Sequence, residues 1–255
     1  IVPRKERKLR KLDADFRLVD YTLDLRDESL FEKQPGKVLE AFRRTDPGLE
    51  KRQFGLVAAT GESLTFTGTE CHPWAGGVAG KGFAAQGNLL SGGEVVEAMV
   101  ETFLTAQAPF PERLLLALKA GEEAGGDRRG KQSAALLVVG EGKGYGGLWD
   151  RYVDLRVDDH PEPIDELFRL LSLHRLLFER PKGRRPLTEE EVRFFQGVLG
   201  RLGLYAGEAH GVFDEATERA FLALIGMENL EERYRGGPEV DEATLSYLKG
   251  RYGWS

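Results

Sequence analysis

Between residues 181 and 186 the chain reads Pro181-Lys-Gly-Arg-Arg-Pro186, with two prolines, a glycine and three basic residues in six positions. Proline lacks a backbone donor, and it pushes the preceding residue out of the α region. No regular element is expected to run through such a stretch. Apolar residues recur at helical spacing on both sides of it: Ile164, Leu167, Phe168, Leu171 and Leu177 before, then Val192, Phe195, Val198, Leu199 and Leu202 after. The break therefore predicts an exposed linker between two domains, 1–180 and 187–255, and a chain of 255 residues is long enough for both.

In the first part, residues 16–25 alternate like a strand, and Lys37–Arg44 reads as a helix. Gln53–Thr60 and Ser63–Thr67 suggest a hairpin about Gly61-Glu62, and Lys81–Asn88 another strand. Ser91-Gly-Gly-Glu94 has capping-box spacing ahead of Val95, Val96, Met99, Val100 and Phe103. A second helix holding Leu114, Leu115 and Leu118 should end near Gly125-Gly126. The continuous apolar run Gln132–Gly140 predicts a buried strand, with Arg151–Val157 as its neighbour and Pro163–Glu179 as an amphipathic helix. Helices on antiparallel sheet give an α+β class. Neither a GxGxxG after a strand nor a P-loop is present, which disfavours nucleotide-binding folds. Beyond the break, Thr188-Glu-Glu-Glu191 is a second capping box, and Asp214 and Asp241 can cap two further helices, giving a small all-α domain. Its aliphatic residues exceed what three short helices bury among themselves, so the module is expected to pack on the body or on a second copy in a homo-oligomer.

A net charge of −6 argues against general affinity for nucleic acid, which needs a basic face. The basic run Arg4, Lys5, Arg7, Lys8, Arg10 and Lys11 reads as a solvated N-terminal stretch. No segment approaches ~18 consecutive apolar residues, so no membrane-spanning helix is expected. The single cysteine, Cys71, rules out an internal disulfide and a cysteine cluster for zinc. Cysteine usage points weakly to a cytoplasmic location, with periplasm and secretion left open. Nothing in the pattern calls for a metal or a cofactor.

Four motifs occur in order. They are Phe66-Thr-Gly-Thr-Glu-Cys71-His-Pro-Trp74-Ala-Gly76, Gly82-Phe-Ala-Ala-Gln86-Gly-Asn88, Gly125-Gly-Asp127-Arg-Arg-Gly130-Lys-Gln132-Ser133-Ala-Ala-Leu136 and Tyr152-Val-Asp154-Leu-Arg156-Val-Asp-Asp159-His160. Through them, residues from about Val38 to His174 resemble an uncharacterised bacterial family with an Ntn-hydrolase-like fold. The resemblance implies an αββα four-layer sandwich. It also implies amide-bond hydrolysis in which an N-terminal Thr, Ser or Cys attacks and its own amine serves as base. The sequence begins with Ile1, and residues 1–36 depart from the family's glycine-rich opening, so the resemblance assigns no nucleophile. Leu202-Gly-Leu-Tyr205-Ala-Gly207-Glu-Ala-His210-Gly211-Val-Phe213-Asp214-Glu-Ala-Thr217 resembles the peptidoglycan-binding-like domain that often follows this family. With its surplus aliphatic residues committed to packing, this module is expected to bind peptidoglycan weakly or not at all.

Polar residues clustered at strand ends are the candidate chemistry. Asp127 and Arg129 precede the apolar strand between glycines, where a carboxylate could orient an amine or water and a guanidinium could clamp a carboxylate. Asp158, Asp159 and His160 follow the next strand, where a general base could sit or a turn could enter the following helix. In an antiparallel pair these two clusters should converge. Cys71 reads as a buried structural thiol, and His174 as a packed or half-exposed side chain. Tyr205 and His210 could form a shallow sugar- or peptide-binding face, against a reading in which they only cover Phe213. Together these features suggest an Ntn-type amidohydrolase-like protein for a small-molecule or peptide-like amide, with a helical docking module. The alternative is a non-catalytic scaffold or binding protein on the same fold, associated with the cell wall.

Overall fold

The computed structural model describes residues 8–12, 18–22 and 34–254. The chain divides into two compact units: residues 1–132 with 160–164, and 133–159 with 165–255. Antiparallel strand pairs and helices occur in separate runs, as the α+β class requires, and each strand ladder among the described residues has two strands. Part of the predicted strand 16–25 lies outside the described residues. Its central portion, β2 (Leu18–Thr22), pairs antiparallel with β1 (Lys8–Leu12), so part of the basic run belongs to a strand.

In the first unit, α1 (Pro35–Thr45) precedes two hairpins, β3 (Gln53–Val57) with β4 (Ser63–Thr67) and β5 (Gly76–Gly80) with β6 (Phe83–Gly87). The glycine-rich β5 was not foreseen, because Gly-Gly-Val-Ala-Gly carries little strand signal. Its glycines serve close approach instead. A Cβ on Gly77 would sit 3.0 Å from the Thr65 Cβ, and one on Gly55 only 2.5 Å from Gln86 Oε1. The two hairpins are tied at both ends by side chains. Gln53 Nε2 donates to Thr67 Oγ1 (3.0 Å), Gly76 O (3.3 Å) and Gly87 O (2.8 Å), and Ser63 Oγ donates to Gly80 O (2.5 Å). Helices α2 (Glu94–Thr105) and α3 (Phe110–Glu123) follow, burying Val95, Val96 and Leu115.

The box predicted at Ser91 does not form. Gly93 occupies the N-cap without a side-chain hydrogen bond, while Ser91 N donates to Gly126 O beside the Leu90–Asp127 bridge. That pairing commits the Ser91 backbone donor elsewhere, and the helix starts later than the spacing suggested.

In the second unit, β7 (Ala134–Val139) pairs antiparallel with β8 (Arg151–Val157) in register Ala134↔Val157. The apolar run is not buried on both faces: Leu136 and Val138 are buried, whereas Leu137 and Val139 are 59% and 66% exposed. Helix α4 (Pro163–Phe178) then leads to α5 (Glu189–Arg201), α6 (Glu215–Met227) and α7 (Glu242–Tyr252). All three predicted caps form. Thr188 and Glu191 make a reciprocal box, and Asp214 and Asp241 accept from Thr217 N and Thr244 N.

Residues 181–186 do not separate two cores. Leu176 of α4 shares one apolar cluster with Leu187, Phe195, Leu199, Phe221, Leu224, Leu245 and Leu248. The segment itself is tied down: β9 (Arg185–Pro186) pairs with β10 (Glu239–Val240), and Arg184 Nη2 donates to Arg233 O at 2.6 Å. Arg185 grips the buried Glu191 with two hydrogen bonds of 2.8 Å.

The join at α4 is polar as well as apolar. The Arg233 guanidinium, itself buried, pairs with buried Asp241 (2.5 Å) and donates to Leu176 O (2.9 Å) and Glu179 O (2.7 Å). It thereby satisfies carbonyls that the helix end leaves without partners. Burial works to raise the Asp241 carboxyl, but hydrogen bonds from Arg233 and Thr244 prevail and hold it below the usual range.

Candidate functional site

The predicted ligand pair is brought together. After Gly203 (φ 73°) ends α5, the chain makes a loop over residues 204–213. Tyr205 folds across Gly207, where a Cβ would fall 2.5 Å from the phenol oxygen. Tyr205 Oη then lies 3.1 Å from His210 Nε2. His210 Nδ1 accepts from Val212 N at 3.2 Å, so in the neutral ring the proton resides on Nε2, facing Tyr205 Oη and Asp214 Oδ2 (3.5 Å). Thr217, through its backbone and then its hydroxyl, holds the Asp214 carboxyl below its ordinary range, and His210 adds to this.

The residue that shapes this loop is Gln196, which the sequence reading passed over. It is almost wholly buried. Its Oε1 accepts from Gly211 N (2.9 Å), and its Nε2 donates to Thr217 Oγ1 (2.9 Å) and Val212 O (3.1 Å). A signal was present: Gln196 sits one residue after Phe195 and three before Leu199, inside the apolar stripe, where an amide must find partners. The loop therefore presents a polar edge of Tyr205, His210 and Asp214 on a rigid base, with many of its hydrogen-bonding groups already engaged.

The candidate catalytic residues are arranged locally. Asp127 Oδ1 accepts from Arg129 N (2.8 Å) and Nε (2.9 Å), and Oδ2 accepts from Nη2 (2.6 Å). Arg129 beside it holds the Asp127 carboxyl below its usual range. His160 Nδ1 accepts from Glu162 N (3.0 Å) at the entry to α4, and Asp158 is exposed. The flanking chain does converge, since His160 N donates to Gln132 O (2.9 Å) and Lys131 pairs with Glu162 (2.5 Å). Asp127 and Arg129 spend their hydrogen bonds on one another, and none joins them to His160 among the described residues. Cys71 is half-buried, its Sγ donating to Arg52 O at 3.4 Å, and His72 is exposed. Among the described residues no group of three or more His, Cys, Asp or Glu could hold a metal ion, and no helix is long and apolar enough to cross a membrane.

Residues 21–167 match the model of DUF1028, a family of unknown function. The chain belongs to this family. Residues 176–248 match a second model, described as "Putative peptidoglycan binding domain". A crystal structure of a protein from Silicibacter pomeroyi, assigned to the same family, is similar at 32% identity and a TM-score of 0.50, over 56% of this chain and 61% of that one. The chain thus spans about three-fifths of that relative's length. No curated protein matches it. The two family models meet within α4: the first stops at 167, the second starts at 176, and Leu176 already belongs to the helical core.

Proposed function

We propose that this family member is an Ntn-type amidohydrolase-like protein whose helical module docks it on cell-wall polymer. In this reading the body, about 1–180, is an αββα sandwich acting on a small-molecule or peptide-like amide. The module, about 187–255, takes α4 as its foundation. One observation carries the docking half: the region matching the peptidoglycan-binding model is welded to α4 through Arg233 and Leu176. A module held this rigidly can pass a surface attachment to α4 without a flexible tether. Self-association through apolar residues outside the core belongs to the same reading, and sedimentation velocity tests it. The main test is co-sedimentation of the full chain with purified peptidoglycan sacculi, with mass spectrometry of the released fragments. Pelleting with new amine and carboxylate ends supports both halves. A chain left in the supernatant, with the sacculi unchanged, sinks them.

A second reading, a non-catalytic binding or scaffold protein on the same fold, is favoured by the engagement of Asp127 with Arg129 and of His160 with Glu162 N. A carboxylate gripped by a guanidinium is a weak base. Pelleting without chemistry would select this reading.

A further inference from the structure

A cleft of about 540 Å³ lies within the second unit, away from the Tyr205–His210 loop, between the β7–β8 connection and the C-terminal end of α4. Its size falls in the roughly 300–1,000 Å³ range of small-ligand sites. Its walls are aromatic. Tyr145 meets Phe178 edge-on with centroids 6.1 Å apart, His174 lies 5.0 Å from Phe178, and Tyr152 lies 5.6 Å from His174. Trp149 completes the lining and is 60% exposed, and Tyr145 is 71% exposed. Large aromatic rings left this open on one connection are costly unless something covers them.

The connection is built to hold these rings. Gly144 N donates to Trp149 O (2.7 Å), and a Cβ on Gly144 would come within 1.9 Å of the indole. Gly146 and Gly147 both adopt positive φ, 64° and 73°, which turns the chain between Tyr145 and Trp149. On the opposite wall, Tyr152 Oη donates to Glu179 Oε1 at 2.5 Å. His174 Nε2 is buried without a hydrogen-bond partner among the described residues, an arrangement native proteins rarely leave uncompensated. Burial lowers the His174 pKa, which favours the neutral ring.

We propose that this cleft binds a neutral amino sugar of the N-acetylhexosamine type, within a glycan chain. Aromatic faces pack against the C–H face of a pyranose, while imidazole, phenol and carboxylate at the edges take its hydroxyls and amide. The charged residues lining the cleft are Lys143, Arg151, Arg180 and Arg233 against Glu179 and Glu232, but Arg233 is already paired with Asp241 and Arg151 with Asp154, which leaves a mixed rim that suits a neutral ligand better than a polyanion or a polycation. The choice of a cell-wall sugar rests on the docking reading above, whereas the cleft as a saccharide site does not.

The probe is the β-1,4-linked tetramer of N-acetylglucosamine, titrated calorimetrically into the full chain. Saturable binding is expected. The pair Trp149→Ala with Tyr145→Ala should weaken it at least about ten-fold, since stacked aromatics dominate such contacts. Trp149→Phe should retain it within about three-fold, because a ring face remains. Both positions are exposed, so circular dichroism should show the fold intact. No binding by the wild type, equal binding by the double variant, or binding of tetramethylammonium in place of the tetramer overturns the assignment. Pelleting with sacculi separates the two readings. If wild type and double variant pellet equally, the cleft assignment falls and the docking reading stands. If the tetramer binds through Trp149 but sacculi leave the protein in solution, the docking reading falls and the cleft stands.

Discussion

The paired hairpins β3–β6 and the helical module α5–α7 solve burial in opposite ways. In the hairpins nearly every described strand residue is half-buried or exposed, and polar side chains such as Gln53 and Ser63 stitch one hairpin to the other across facing glycines. In the module, Phe195, Phe221, Leu199, Leu224, Ile225, Leu245 and Leu248 are excluded from water, and every helix start carries a side-chain cap. Glycine-rich strands come close but bring little apolar area, whereas capped amphipathic helices bring a full stripe. The module should therefore behave as the cooperative part of the chain, and the hairpins as the part sensitive to single polar ties.

The strongest test is Arg233→Ala. It leaves Asp241 buried without its guanidinium and the α4 carbonyls without a donor, so the second unit should lose about 3–5 kcal/mol in urea unfolding. A loss below about 1 kcal/mol would mean that the weld is not structural. Next comes a matched pair of aromatic truncations. Phe221→Ala should cost about 3–5 kcal/mol. Phe54→Ala, half-buried and stacked on Phe66 at 5.3 Å, should stay below about 2 kcal/mol. Equal costs would dissolve the contrast between the two regions.

Acid should separate them too. Arg185 holds the Glu191 carboxyl well below its ordinary range, and Lys249 and Thr188 add to this, against burial. Asp241 also lies below its ordinary value. A carboxyl depressed in the folded state contributes stability in full above its unfolded pKa, and loses it as pH falls through the folded value. Helical circular dichroism should thus weaken progressively below about pH 4.5, and Glu191→Gln should flatten that dependence. An unchanged profile in the variant would rule Glu191 out as the cause. The smallest effect is expected from Thr188→Ala, about 1 kcal/mol, measured by the same urea unfolding. Ser91→Ala should produce no comparable capping loss, because Ser91 makes no cap hydrogen bond.

That last contrast shows how much was legible in the residues. Thr188 and Ser91 open identical spacings, each with glutamate three positions on, yet one box forms and the other does not. At Thr188 the local hydrogen bonds form even though Arg185 and Lys249 share the Glu191 carboxylate, and both backbone donors stay available. At Ser91 a backbone bond to Gly126, distant in sequence, takes the donor first. The candidate site divides the same way. That Tyr205 and His210 come together was readable because turn glycines and the Asp214 cap lie within the same loop. The Tyr145–His174 cleft was not, because its walls come from residues some thirty positions apart.

By itself, then, the sequence determined what depends on neighbours along the chain: the helices, most of the caps, the β3–β4 turn, the pairing of Ala134–Val139 with Arg151–Val157, and membership of the family. Tertiary structure decided what depends on partners far away: that the strand Ala134–Val139 buries only one face, and that Gln196 organises a loop. It also decided that the proline-rich segment is pinned by Glu191 and Arg233 instead of hanging between two cores. The physical reason is range. Backbone sterics and capping hydrogen bonds act over three or four residues, so spacing records them. Burial and buried ion pairs are settled only when distant surfaces meet, and no local pattern carries that information.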